Sequence, residues 1–226
     1  MINEPSFIDL IRKNDMLERL FFADESWWFD CALSINLLKN IKHICRKITT
    51  HYISDSASIE DSTIIREPVF IGENVEILGG SYIRGPVLIG PGSRIGPHAN
   101  IRPNTIIGSH VEIGFSAEIK ESIILDYAKI PHFCYVGHSI VGRHVNIAAG
   151  VVISVRRFDS RSISIYCDGK AINTNMPKVG AVIGDYVQIG VGVKIMPGTR
   201  IGPHSIIYPN LVVSGTIGAR SIIKYL

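Results

Sequence analysis

No run of about 18 apolar residues occurs in this 226-residue sequence, so nothing in it reads as a membrane-spanning helix. Cysteine is scarce: Cys31, Cys45, Cys134 and Cys167 stand far apart, with no C-x-x-C pair. That spacing argues against a disulfide framework or a zinc ribbon and makes a reducing cytoplasm the simplest reading. An excess of one charge is also missing. The 23 basic and 20 acidic residues leave a net +3, too mild for the concentrated basic surface that a nucleic-acid backbone requires. The N-terminal "MINEPSFIDLIRKND" lacks the basic-then-apolar layout of a signal peptide. These absences leave a soluble cytoplasmic protein as the expectation, long enough to bury a core.

What the sequence does have is repetition. From Ile53 to Ile119 an isoleucine recurs every six residues, and four residues after each comes a small or β-branched side chain such as Ala57, Val75, Ser93 or Val111. Glycine often follows the isoleucine, as in "IGENVE", "IGPGSR" and "IGSHVE". Neither the helical period of 3.6 nor the strand period of 2 produces this pattern. A six-residue period does, if each hexad is a short strand plus a turn and three hexads close one triangular coil. Glycine then supplies turn dihedrals that a β-carbon opposes. A second run resumes at Ile183, Ile189, Ile195, Ile201, Ile207 and Val213. Between the runs the spacing drops to five residues twice, from Ile119 to Ile124 and from Val136 to Val141. One deletion precedes "KIPHFCYVGHSIVGRH", residues 129–144, and the other falls within it, on either side of His132, and they are expected to reshape the corner that presents it.

Two segments lie outside the repeat. Residues 1–50 carry apolar positions at three- and four-residue spacing in "FIDLIRKNDMLERLFF" and "ESWWFDCALSINLLKNIKHICRKI". They predict two helices, the second capped by Asp24 or Ser26, with Trp27, Trp28 and Phe29 as packing residues. Such a helical cap would protect the unpaired edge of the first coil in the 51–226 β-helix domain. Residues 154–182 break the hexads, and "ISIYCDGKAINT" within them predicts a hairpin around Asp168-Gly169. Long insertions in repeat folds often shape a binding site.

Arg66, Arg84, Arg102 and Lys120 all replace the glycine after an isoleucine, each 18 residues from the next. Eighteen residues is one coil, so these cations stack at one corner. Arg66 and Arg84 read as solvated, whereas Arg102 and Lys120 approach the histidine segment and suit a phosphate or pyrophosphate. His132 should project outward, where an ordinary imidazole can act as a general base on an amine or hydroxyl. A metal site is the competing use of His110, His138 and His144.

Residues 101–153, including "KIPHFCYVGH" and "NIAAG", resemble the left-handed parallel β-helix of hexapeptide-repeat acetyltransferases. The resemblance is to the acetyltransferase half of bifunctional N-acetylglucosamine-1-phosphate uridyltransferase/glucosamine-1-phosphate acetyltransferases. Size and helical N-terminus are also similar to standalone proteins labelled UDP-N-acetylglucosamine pyrophosphorylase-related. The left-handed sense comes from this resemblance, which covers roughly residues 53–217. It implies a homotrimer using acetyl-CoA as acyl donor and no metal. It implies His132 as general base, Arg102 and Lys120 as acceptor-phosphate ligands, Tyr135 and Asn146 as acceptor contacts, and Ala149 as a backbone contact to acetyl-CoA. Nothing here resembles the uridyltransferase half, so pyrophosphorylase activity is not expected. Three positions depart from the family pattern: His138 stands for an aspartate, Ala148 for a glycine and Val155 for an asparagine. The expected function is CoA-dependent N-acyl transfer to an amino-sugar phosphate or a nucleotide-linked amino sugar. The alternatives are a non-catalytic sugar-phosphate or sugar-nucleotide binder that partners another enzyme, and a metal-dependent protein similar to gamma-class carbonic anhydrases.

Overall fold

The computed structural model describes residues 6–22 and 30–225. From Tyr52 onward the chain visits three parallel sheets in rotation, of nine, nine and eight strands. Sheet A runs from Tyr52–Ile53 to Thr216–Ile217, sheet B from Ser58–Ile59 to Ile222–Ile223, and sheet C from Ile64–Arg66 to Val212–Val213. This is a parallel β-helix of triangular section, with corners A–B, B–C and C–A, as the hexads require.

Register explains why the period is so strict. In sheet A, Ile53 pairs with Ile71, Ile71 with Ile89, Ile89 with Ile107, and Ile107 with Ile124, so one column of side chains fills the axis. Ile71, Ile77, Ile83, Ile89, Ile95 and Ile101 are all fully buried in one continuous core. Burying each such side chain stabilises the fold by roughly 1.5–3 kcal/mol. A slip of one residue would turn the whole column to solvent.

Sheet A differs from B and C in being apolar on its outer side as well. Phe70, Leu88, Ile106, Ile123, Ile140 and Val182 point outward from it and are buried under the N-terminal helices. Those helices are α1 (Phe7–Arg12), α2 (Asp15–Phe22) and α3 (Cys31–Ile48). The helices therefore pack alongside face A. The first expected helix is two, because Asn14 Oδ1 accepts from the Met16 and Leu17 amides and starts a new one. The second begins at Cys31, where Asp30 Oδ1 accepts from Leu33 N. Asp24, Ser26, Trp27, Trp28 and Phe29 lie outside the described residues. Arg143 ties helix to prism: its Nη2 donates to the carbonyls of Leu20 and Phe21 at 2.8 and 2.9 Å, and its Nη1 meets the buried Asp185 carboxylate.

The insertion leaves sheet C after Val152–Ile153 and returns to sheet A at Ala181–Ile183. Its hairpin pairs Ser164–Cys167 with Lys170–Asn173, turning at Asp168 and Gly169 with φ of 48° and 75°. Ile163, Ile165 and Val179 bury against the same cluster as the helices. Helices and insertion thus share face A, and Cys31 of α3 is disulfide-bonded to Cys167 of the hairpin, Cα to Cα 6.4 Å. This corrects the expectation of no disulfide and removes the cysteine argument for a reducing compartment. Spacing in sequence hid it, because the two cysteines are brought together only by packing on face A. Among the described residues no helix is long and apolar enough to cross a membrane.

Candidate functional site

His132, His138 and His144 lie six residues apart, so the coil sends them to three successive corners. His132 ends the strand Lys129–His132 at corner B–C, His138 sits at corner C–A and His144 at corner A–B. Each then meets different neighbours. His144 stacks between Tyr127 and Tyr186, with centroids 4.8 and 4.9 Å away, in a ladder that continues to His110 and His204. Among the described residues, no group of three His, Cys, Asp or Glu side chains is placed to hold a metal ion.

His132 is exposed. Its carbonyl accepts from Gly150 N at 3.0 Å and from the Cys134 thiol at 3.1 Å. Burial raises the Cys134 pKa, so the thiol keeps its proton; it also reaches the Ala148 carbonyl at 3.2 Å. Cys134 therefore braces the His132 corner against the next coil.

Around the edge from His132, face C presents a polar patch. Glu118 pairs in register with Asn100 on one side and Tyr135 on the other. Its carboxylate Oε1 accepts from Arg102 Nη1 at 2.7 Å, both side chains being about one-third exposed. Tyr135 is half-buried, and its pKa is raised by burial first and by the Glu118 charge second, with Arg102 opposing. A β-carbon on Gly137 would lie 2.6 Å from the Tyr135 hydroxyl, so glycine there lets the ring lie across the face. Lys120 pairs in register with Gly137 at the end of this face, its ammonium turned to Glu121. Arg66 and Arg84, opposite each other in register, are exposed as expected.

Asn146 lies elsewhere. It starts a strand of sheet B beside Lys129 and, with Ala148, Gln188, Val191, Tyr208 and Pro209, lines a mostly apolar groove of about 360 Å³ on face B. The adjoining Ala149 gives its carbonyl to Gly192 N at 2.9 Å. Val155 anchors the insertion, its carbonyl accepting from Val179 N at 3.0 Å. The residues singled out from sequence thus fall into two groups within one prism, Arg102, Lys120 and Tyr135 on face C and Asn146 on face B, with His132 at the edge between and Ala149 one coil above it at the same corner.

The two deletions do not reshape the His132 corner. Both shorten corner C–A: sheet A strands drop from three residues (Thr105–Ile107) to two (Ile123–Ile124, Ile140–Val141). Glu121 and His138 occupy those tight turns at φ of 45° and 49°. Glu121 is buried and serves three neighbours. Its Oε2 lies 3.3 Å from both Lys42 Nζ and His138 Nδ1, and its Oε1 lies 3.5 Å from Lys120 Nζ. Lys120 is 17% exposed and faces this hub. His138 is pushed down to about 4, by burial above all, with Glu121 opposing and Lys120, Lys178 and Lys42 adding to the fall.

Glu118, Glu121 and Cys134 were not anticipated. Glu118 was findable: Asn100, Glu118 and Tyr135 stand one coil apart, each just before an inward aliphatic residue, as the cations stand just after one. Glu121 carried a weaker signal, as an acid in a shortened hexad. Cys134 carried none beyond occupying an inward position usually held by alanine or valine.

Residues 83–176 match the family model described as GMPPB C-terminal domain, and residues 180–215 match bacterial transferase hexapeptide (six repeats). The chain is 37% identical over 217 residues to a bifunctional sugar-1-phosphate nucleotidylyltransferase/acetyltransferase of Sulfurisphaera tokodaii, covering 96% of this chain and 53% of that protein. It is 38% identical over 104 residues to the bifunctional protein GlmU of Methanococcus maripaludis, which is 46% of this chain and 25% of that one. An uncharacterized acetyltransferase of Escherichia coli, YaiX, is 36% identical over 106 residues, 45% of this chain and 46% of that one. The chain thus spans about half the length, or less, of these relatives. The resemblance read from the hexads holds: this is a hexapeptide-repeat β-helix similar to the acetyltransferase-type domains of those proteins.

Proposed function

We propose, with that hexapeptide-repeat relationship as premise, that the protein is a CoA-dependent N-acyltransferase acting on an amino-sugar phosphate or a nucleotide-linked amino sugar. The observation that carries the reading is the exposed His132 imidazole, set at the edge where the Arg102–Glu118–Tyr135 patch meets the face bearing Asn146. His132 takes the proton from the acceptor amine as its nitrogen attacks the thioester carbonyl, and the thiolate of CoA leaves. Arg102 and Lys120 hold the acceptor phosphate, Arg102 by exchanging Glu118 for it. Tyr135 and Asn146 orient the sugar, and a backbone amide supports the developing oxyanion. The apolar groove beside Asn146 and Ala148 suits the acyl and pantetheine chain of acetyl-CoA. Because the two groups of residues lie on different faces of one prism, the working site is read as closing between prisms of a homotrimer. A cytoplasmic location follows from the acyl-CoA donor.

The test is thioester consumption with acetyl-CoA across a panel of amino-sugar phosphates and nucleotide-linked amino sugars, comparing the wild type with His132→Ala. Turnover that falls on the order of 10²–10⁴-fold in the variant supports the reading. No turnover with any acceptor, or an undiminished variant, overturns it. Stabilisation by sugar phosphates without any response to acetyl-CoA would point to a binding protein.

A further inference from the structure

The seam where helix α3, the insertion and corner C–A meet encloses a cavity of about 340 Å³ lined by Lys39, Lys42, Lys178, Glu121 and His138, among others. Lys120 reaches the same carboxylate from the neighbouring coil. Two ammonium groups, of Lys42 and Lys120, thus meet one carboxylate while Lys39 and Lys178 line the same cavity, a local excess of +3 before any ligand is counted (4 − 1). Neither Lys39 nor Lys178 forms an ion pair among the described residues. Like charges converging from three separate elements repel unless an anion or water lies between them.

The imidazole of His138 adds a second, independent feature. Its side chain is 12% exposed, and its Nδ1 faces Glu121. Its Nε2 is buried and has no hydrogen-bond partner. With Nδ1 turned to a carboxylate, Nδ1 carries the proton and Nε2 is a bare acceptor. A buried acceptor without a donor is costly, and an O–H or N–H brought to it by a ligand or water would remove that cost.

We propose that this cavity is a binding site for a phosphate monoester or inorganic phosphate, held by Lys42 and Lys178 with Lys39 at the rim, its P–OH or an adjacent sugar hydroxyl donating to His138 Nε2. The site lies on the C–A side of Glu121, and Lys120, which the acyltransferase reading assigns to the acceptor phosphate, is not among its lining residues. It also assigns a use to the two deletions, which bring Glu121 and His138 into adjacent tight turns.

The probe is inorganic phosphate, titrated calorimetrically into the full chain at neutral pH, against sulfate at the same ionic strength. Sulfate matches phosphate in shape and charge but carries no proton at that pH, so it leaves Nε2 without a donor. Saturable phosphate binding is expected, at least tenfold tighter than sulfate. The Lys42→Gln/Lys178→Gln double variant should weaken it at least tenfold, while Arg84→Gln, an exposed cation on face C, should change it less than threefold. In a long-range proton–nitrogen spectrum the His138 Nε2 signal should move on phosphate addition. The double substitution falls on exposed side chains, and circular dichroism and melting confirm that the variant is folded. Absence of saturable binding, binding untouched by the double variant, or an equal loss on Arg84→Gln would overturn the site. Equal binding of sulfate, or a stationary Nε2 signal, would overturn the role given to His138.

Discussion

Arg102 and Glu118 form an ion pair at 2.7 Å across one coil of face C, each side chain about one-third exposed. The pair sits where the acceptor phosphate is proposed to bind, so Glu118 competes with that phosphate for the guanidinium. Removing the competitor without removing the cation should favour the ligand. Glu118→Gln is expected to lower KM for a phosphorylated acceptor several-fold while leaving KM for acetyl-CoA unchanged. Arg102→Gln should raise the acceptor KM at least tenfold. Both variants should melt close to the wild type, because a partly exposed pair contributes within about 1 kcal/mol. Steady-state kinetics decide it, and a higher acceptor KM in Glu118→Gln would mean that the carboxylate orients the arginine.

The Cys31–Cys167 disulfide closes a long loop, with 136 residues of sequence separation, between α3 and the insertion hairpin. Reduction should therefore destabilise the packing of both elements on face A, by about 2–4 kcal/mol. Denaturing thiol titration without reductant should find two free thiols, Cys45 and Cys134, both buried in the fold. Four free thiols would exclude the bond. Cys31→Ser should melt lower than the wild type in the absence of reductant and match it in its presence.

The prism itself was legible because its signal is the inward column, and each inward isoleucine obeys a spacing that only a coil of three hexads explains. The role of the helices was equally present but went unread. Phe70, Leu88, Ile106, Ile123, Ile140 and Val182 turn the sheet A strands into apolar runs such as "VFI", "VLI" and "AVI", the mark of a strand covered on both sides. Sheets B and C instead alternate, as in "EIK" and "YVG". The hub at Glu121 was not legible, because it joins residues 42, 120, 121 and 138 through a helix docked on face A. The deletions were visible in sequence, but assigning them to corner C–A required counting strands around the coil from a fixed origin.

Tyr127 is held face to face between His110 and His144, at 5.0 and 4.8 Å with interplanar angles of 11° and 2°. Its φ is 61°, so a replacement must tolerate the left-handed region. Tyr127→Asn keeps that backbone and deletes the ring. Two stacked contacts at about 0.5–1.5 kcal/mol each predict a loss of about 1–3 kcal/mol in urea unfolding. A loss within experimental error would make the ladder a by-product of corner geometry.

His138 gives the fold a dependence on pH that can be isolated. Burial pushes its pKa from 6.5 down to about 4, so between those values the unfolded chain binds a proton that the native state refuses. Stability therefore rises with pH across that window: the contribution is fully present above 6.5 and is lost as pH falls towards 4. One pKa unit corresponds to about 1.4 kcal/mol, so the loss over the window is of order 2–3 kcal/mol. Asp126 works in the opposite direction, since burial raises its pKa, and for that reason the comparison must be between variants at each pH. His138→Asn keeps a residue that tolerates the turn and removes the titrating group. Urea unfolding at pH 7 and pH 4.5 should show the wild type losing more stability than the variant, by about 2 kcal/mol. Equal losses would mean that His138 takes up its proton in the folded state near its ordinary pKa. That result would require the cavity to hydrate Nε2, and the phosphate site would then have to recognise an imidazolium.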